Sequence, residues 1–299
     1  MTMSLQHKQR KSQRTDNERV RDFQRKIYLK AKQQPNFRFY VLYDKVRQLY
    51  FLSEAYRRVK VNKGAPGVDG ITFSSIEEQG ILDYLLEIQY ELEKKIYRPS
   101  PVKRIMIPKA NGKMRPLGIP TIKDRIVQMS CKMAIEPIFE AGFEDSSYGF
   151  RPQRNAGQAI KKIKDNLKNG KTKVYDADLS SFFDTIPHTK LLTLIGMRIS
   201  DKNIIHLIKM WLKAPIYEDG RYSGGKKNKV GTPQGSVISP LLANIYLHLV
   251  DKTVRKNIAF AGIEIIRYAD DFLLMGNEIT RKAMGTLNAL LERMELTVN

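Results

Sequence analysis

The strand-forming segments of this chain come in pairs closed by tight turns, and that arrangement limits its fold more than any other feature. Val102–Pro108 is followed by Asn111-Gly112, the pair that supplies the left-handed backbone of a two-residue hairpin, so Val102 to Ile119 reads as two paired strands. Asp219-Gly220 marks a second hairpin, and Asp270-Asp271 sits at or beside the turn between Ile263–Tyr268 and Phe272–Met275. Segments of helical period stand between these hairpins without steady βαβ alternation, which predicts an α+β fold over a doubly wound sheet.

The helical segments have start and stop signals. Asp16 to Lys32 reads as a helix, and from Phe37 onward Phe37, Tyr40, Val41, Leu49, Tyr50 and Leu52 recur at helical spacing with basic residues between them. KGAPGVDG at Lys63–Gly70 is a loop. Ser74 and Glu77 have the spacing of a capping box, and Ile81, Leu82, Leu85, Leu86, Ile88, Leu92 and Ile96 trace one broad face until Pro99. Further helices are predicted over Ile122–Phe139, Asn155–Leu167, Pro187–Arg198, Asp201–Lys213 and Ile279–Met294. Another opens at Ser239-Pro240, with Ser as N-cap, and runs past Asp251.

Charge narrows the choice of partner. The 299 residues hold 52 Lys and Arg against 31 Asp and Glu, a net charge of +21, and residues 1–60 alone carry 16 cations against 5 acids. Such an excess points to a polyanion. Met1 to Gln34 is a basic arm poorly able to build a core, equally readable as a solvated tail or as a nucleic-acid-binding arm. A single cysteine, Cys131, excludes an internal disulfide framework and any multi-thiolate metal site, and is expected to be a small buried hydrophobe. The four histidines, His7, His188, His206 and His248, form no ligand-spaced pair, and Trp211 is read as core. Val237–Val250 is interrupted and too short to cross a bilayer, and Met1–Arg14 has no apolar segment of a secretory signal. A soluble, intracellular protein with no membrane partner is expected.

Val174–Leu179 alternates, with Tyr175, Ala177 and Leu179 on one face and Asp176 and Asp178 on the other. Asp178, Asp270 and Asp271, if they converge, would bind hard divalent cations through oxygen and serve phosphoryl transfer. Spacing alone favours the plainer reading, in which Asp-Asp is a turn signal and Asp176 or Asp178 caps or faces solvent.

YADD at Tyr268–Asp271, downstream of DADLSSFFDTI at Asp176–Ile186, resembles a reverse transcriptase. GAPGVDGITF (Gly64–Phe73), RPLGIPTIKDRIVQ (Arg115–Gln128), YGFRPQRNA (Tyr148–Ala156), GTPQGSVISPLLANIYL (Gly231–Leu247) and RYADDF (Arg267–Phe272) make the chain similar to group II intron-encoded maturase reverse transcriptases. The blocks stand in that family's order from roughly Phe37 to the C-terminus. Two departures, Gly157 and Ser236, fall at positions where the family often has His and Gly, and neither is a metal ligand.

The resemblance implies a right-hand polymerase with fingers and palm, the palm a small antiparallel sheet backed by helices. It divides the chain into a basic N-terminal arm (1–36), fingers (37–150 and 187–235) and palm (151–186 and 236–299), ending before a thumb. It implies that Asp178, Asp270 and Asp271 are the catalytic ligands of two Mg²⁺ ions. By the same match Lys109 and Arg115 neutralise the triphosphate of the incoming dNTP, Gln234 lies against nucleotide and template, and Phe183 stacks under the deoxyribose and selects dNTP over rNTP. Read without the resemblance, Lys109 and Arg115 are surface cations, Gln234 a loop residue, and Phe182 and Phe183 core aromatics. The implied partners are group II intron RNA, an RNA template with a DNA primer, and dNTP. The implied location is cytoplasmic, of bacterial type. Two rivals remain open at this point: an RNA-binding splicing factor that uses the polymerase fold as a scaffold, and a related bacterial reverse transcriptase such as a retron or CRISPR-associated one.

Overall fold

The computed structural model describes residues 14–108, 112, 114–233 and 235–299. Five helices open the chain: α1 (Asp16–Gln33), α2 (Tyr43–Val46), α3 (Leu49–Lys60), α4 (Phe73–Gln79) and α5 (Ile81–Glu93). The hairpin of β1 (Val102–Pro108) and β2 (Met114–Ile119) leads into α6 (Ile122–Glu140) and α7 (Ala156–Lys168). β3 (Lys173–Ala177) is followed by α8 (Phe182–Thr185), α9 (His188–Gly196) and α10 (Lys202–Leu212). A second hairpin, β4 (Pro215–Glu218) with β5 (Arg221–Gly224), precedes α11 (Ser239–Lys256), the hairpin of β6 (Glu264–Tyr268) and β7 (Asp271–Gly276), and α12 (Arg281–Arg293). The α+β expectation holds, and among the described residues no helix is long and apolar enough to cross a membrane.

Two sheets organise these elements. One has the order β2-β1-β4-β5, in which β1 pairs antiparallel with β2 and parallel with β4, so two hairpins distant in sequence become one sheet. The other, β3-β7-β6, is antiparallel throughout. Alternation along β7 gives this small sheet two covered faces. Phe272 and Leu274 belong to the main core with residues of α11 and α12, while Leu273 and Met275 join Ile266 against Ala159 and Ile163 of α7.

α6 is the central helix. Thr121 caps it by accepting from the Asp124 amide, and its side chains are buried nearly all round, as a helix enclosed by others requires. Gln128 on this helix accepts hydrogen bonds from the Ser236 hydroxyl and the Val237 amide, which ties the GTPQGS loop to the core. Cys131 and Trp211 are buried, and the Trp211 indole N–H donates to the Tyr97 hydroxyl at 3.0 Å.

Several sequence expectations need correction. The capping box is Thr72 with Ser75, not Ser74 with Glu77, because α4 starts at Phe73 with Thr72 as its N-cap; Gly80 at φ 109° ends α4 and precedes a separate helix. α5 stops at Glu93, well short of Pro99, and buries only Leu85, Ile88 and Leu92; Ile81, Leu82, Leu86 and Ile96 are exposed. The three buried side chains contribute about 1.5–3 kcal/mol each. The chain from Phe37 to Leu42 is not helical. Phe39 bridges to Ile199, and the Asp201 carboxylate accepts from the Leu42 and Tyr43 amides. Ile238 occupies the N-cap position of α11, and the Ser239 hydroxyl donates instead to the Pro233 carbonyl.

The basic arm is in part a docked element. α1 buries Val20 and Ala31, its Asn17 amide donates to Glu54, and its Gln24 amide donates to the Met133 carbonyl of α6. Neither the solvated-tail reading nor a core-free arm describes residues 16–33. Residues 1–13 and the hairpin residue Asn111 lie outside the described residues.

Candidate active site

The β3–β7 register sets the site. Ala177 pairs with Phe272, so the next residue along each strand, Asp178 on one and Asp271 on the other, stand side by side on the face opposite the buried Ala177 and Phe272. Tyr268 pairs with Asp271, which leaves Ala269-Asp270 as a two-residue hairpin loop. Ala269 takes the positive φ, 61°, that such a loop demands at its first position. Three acids from segments about ninety residues apart in sequence are thereby brought to one end of the small sheet.

The turn is held from below. Arg267 is fully buried and forms a two-pronged ion pair with the equally buried Asp251 at 2.7–3.1 Å. Its remaining N–H groups donate to Asn244 Oδ1 at 2.8 Å, Ser147 Oγ at 2.7 Å and the Ala269 carbonyl at 2.7 Å, one residue before Asp270. The Tyr148 amide donates to the Arg267 carbonyl, and a Cβ on Gly149 would collide with the Ala269 backbone. Glycine is required there by close approach.

The carboxylates of the cluster repel one another. Burial, and after it the Asp178 charge, raises the Asp270 carboxyl above its ordinary value, with a backbone hydrogen bond and the Arg267 charge opposing. Burial likewise raises Asp271, reinforced by the charges of Asp270 and Asp178 and a hydrogen bond with Asp178. Among the described residues none of the three forms an ion pair. Asn299 donates from Nδ2 to Asp178 Oδ2 at 2.6 Å, and its amide donates to the Asp178 carbonyl at 2.9 Å.

By chemistry these side chains fit a hard divalent cation: all donors are oxygen, and a cation relieves the repulsion recorded at Asp270 and Asp271. By spacing they do not form a closed shell. Among the described residues no group of three or more His, Cys, Asp or Glu side chains is set at ligand geometry, and one Asp178 oxygen is engaged by Asn299.

A cavity of about 920 Å³ opens over the cluster, lined by Asp178, Asp270, Arg115, Phe150, Phe183 and Asn299 among others. Asp271 lies beside this lining. Arg115 is exposed, opposite Ile107 in the hairpin, and among the described residues has no acidic partner. Phe183 is half-buried against the fully buried Phe182, so of the two aromatics one is core and one faces the cleft. Lys109 and Gln234 lie outside the described residues. The loop around position 234 is pinned on both sides: the Thr232 amide donates to the Phe183 carbonyl at 2.6 Å, and a Cβ on Gly235 would strike the Gly118 carbonyl. The sequence reading singled out neither Arg267, Asn299 nor Phe150. An arginine inside the apolar run Ile265-Ile266-Arg267 was the one available signal, since a buried charge there needs a partner such as Asp251.

A small antiparallel sheet carrying clustered acids at its turn, facing a basic hairpin across a cleft, defines the fingers and palm of a right-hand polymerase. Residues 107–299 match the family described as reverse transcriptase (RNA-dependent DNA polymerase). YkfC of Escherichia coli (strain K12) is 36% identical over 291 residues, covering 86% of this chain and 75% of that protein. The group II intron-encoded protein LtrA of Lactococcus lactis subsp. cremoris is 39% identical over 231 residues, covering 76% of this chain but 37% of LtrA. A chain of a partial Cas6-RT-Cas1–Cas2 complex superposes with a TM-score of 0.51 at 22% identity, over 84% of this chain and 41% of that one, which speaks for the fold alone. The chain belongs to the reverse transcriptase family and is similar to group II intron-encoded members of it. Membership carries with it nucleic-acid binding and the use of divalent metal ions.

Proposed function

We propose that this chain is the RNA-directed DNA polymerase portion of a group II intron-encoded maturase, which copies an RNA template from a DNA primer and binds intron RNA in support of splicing and mobility. The observation that carries the catalytic part is the meeting of Asp178, Asp270 and Asp271 at one sheet end beneath a cleft. In this reading residues 37–150 and 187–235 are fingers, 151–186 and 236–299 palm, and residues 1–36 a basic arm.

Asp178, Asp270 and Asp271 would hold two Mg²⁺ ions. Magnesium bound there supplies Lewis acidity that makes the primer 3′-hydroxyl more acidic and neutralises the departing pyrophosphate. Arg115, with Lys109 and Gln234 in the roles the resemblance implies for them, would orient the dNTP, the fixed cations meeting the negative charge that builds on the triphosphate. Phe183 would lie under the sugar and exclude a 2′-hydroxyl. Arg267 keeps Ala269, and with it Asp270, in place while this happens.

The test replaces Asp270 and Asp271 by Ala in the full-length gene product. Primer extension with dNTP on an RNA template is expected to collapse, while affinity for intron RNA changes little. Extension that persists in both variants would refute the assignment of these carboxylates, and a parallel loss of RNA affinity would show that the variants had unfolded the palm.

A further inference from the structure

Phe150 combines three features that ordinary packing does not explain. It is a bulky residue held at φ 57°, a backbone region that such side chains rarely adopt. It is 51% exposed, so core burial does not account for its placement. It nonetheless lines the cleft that holds Asp178 and Asp270.

Its surroundings over-determine it. The Asn244 amide donates to the Gly149 carbonyl at 2.9 Å, on the residue just before it. On the residue just after it, the Arg151 guanidinium donates to the Glu144 and Ser147 carbonyls at 2.6 and 2.7 Å and pairs with Glu140 at 2.7 Å. The backbone that carries the ring is therefore anchored on both sides. What the ring touches is Phe183, edge-on, with centroids 6.5 Å apart and planes at 78°. Phe183 also meets the buried Phe182 at 5.5 Å and 66°. The Phe183 backbone is independently anchored through its carbonyl by Thr232.

We infer that Phe150 is a specificity-determining positioning residue, which fixes the Phe183 ring plane from the cleft side so that nucleotides bearing a 2′-hydroxyl are excluded. A ring restrained by one neighbour turns aside more readily when a ribose enters than a ring restrained by two, and the two edge-to-face contacts of Phe183 supply that second restraint. The inference rests on the reading of Phe183 as the sugar gate, so the experiment measures the gate and its support separately.

Single-turnover incorporation of dGTP and of GTP is measured with the full-length gene product on one RNA template and DNA primer in Mg²⁺. The variants are Phe150→Ala, Phe150→Leu, Phe150→Tyr, Phe183→Ala and the Phe150→Ala, Phe183→Ala double variant. Phe183→Ala is expected to lower the dGTP-over-GTP preference sharply. Phe150→Ala and Phe150→Leu should lower it by about three- to tenfold, the factor that one aromatic contact supports. Phe150→Tyr should preserve it, and the double variant should match Phe183→Ala alone. A Phe150→Ala enzyme that binds both nucleotides more weakly with an unchanged ratio would overturn the inference, as would additive losses in the double variant; Phe150→Leu decides the matter if the Ala variant does not fold. An unchanged ratio in Phe183→Ala would instead refute the gate itself.

Discussion

Arg267 shows what single residues contribute. Taking a guanidinium and a carboxylate out of water costs several kcal/mol for each ion, and the pair with Asp251 stands only because every Arg267 N–H direction finds an acceptor. Removing one partner leaves the other charge buried alone. Arg267→Ala is therefore expected to cost about 3–5 kcal/mol of stability, read from denaturant unfolding. The exposed pair of Arg154 with Asp145, whose carboxylate is 93% exposed, should yield under about 1 kcal/mol when broken. Equal costs at the two sites would contradict the burial argument. The residue scale is also where the sequence was most and least legible. Alternation in VYDADL put Asp178 on the correct face. The positive φ of Phe150 and Ala269 left no mark, because neither residue is of a type that announces a left-handed backbone.

At the scale of elements, some boundaries were legible and docking was not. The limits of α1, α6, α7 and α12 follow from caps and periodicity within a few residues. That α1 is seated on the core turns on only two buried side chains, Val20 and Ala31, too sparse a pattern to read as a face, and on polar contacts to α3 and α6. Glu54 is the anchor of that seat. Burial alone would raise its carboxyl, but hydrogen bonds from Arg57 and Arg58 win and hold it at about 2, against an ordinary 4.5. A folded value below the unfolded one means that the contribution is complete above about pH 4.5 and is lost as the pH falls toward 2. Glu54→Gln should therefore melt below the wild type near neutrality, with the gap closing across that acid window. A gap independent of pH would show that packing, not charge, holds the helix. The break at Gly80 had the same origin as the missed docking, since a glycine within an apolar period can continue a helix or end it.

Across the whole molecule, local sequence signals specified hairpins, and tertiary contact decided how they join. The turn residues announced the β1–β2 and β4–β5 hairpins, yet nothing local specified the parallel pairing of Val102 with Ile216 that merges them. The small sheet is similar: its strands were readable, and the order β3-β7-β6 that brings Asp178 to Asp271 depends on a pairing across most of the C-terminal half. The family match covers residues 107–299, whereas α1 and α3, which pack onto α6, lie N-terminal to it. The claim on which the functional account depends is that this long-range pairing builds one divalent-metal site. Electron paramagnetic resonance of Mn²⁺, titrated into the full-length gene product with template, a 3′-deoxy primer and dNTP, tests it most directly. The account predicts about two bound ions per complex and loss of binding in Asp178→Asn as well as in Asp271→Asn, since strands distant in sequence share the same ions. Mn²⁺ binding that survives Asp178→Asn undiminished while failing in Asp271→Asn would contradict it.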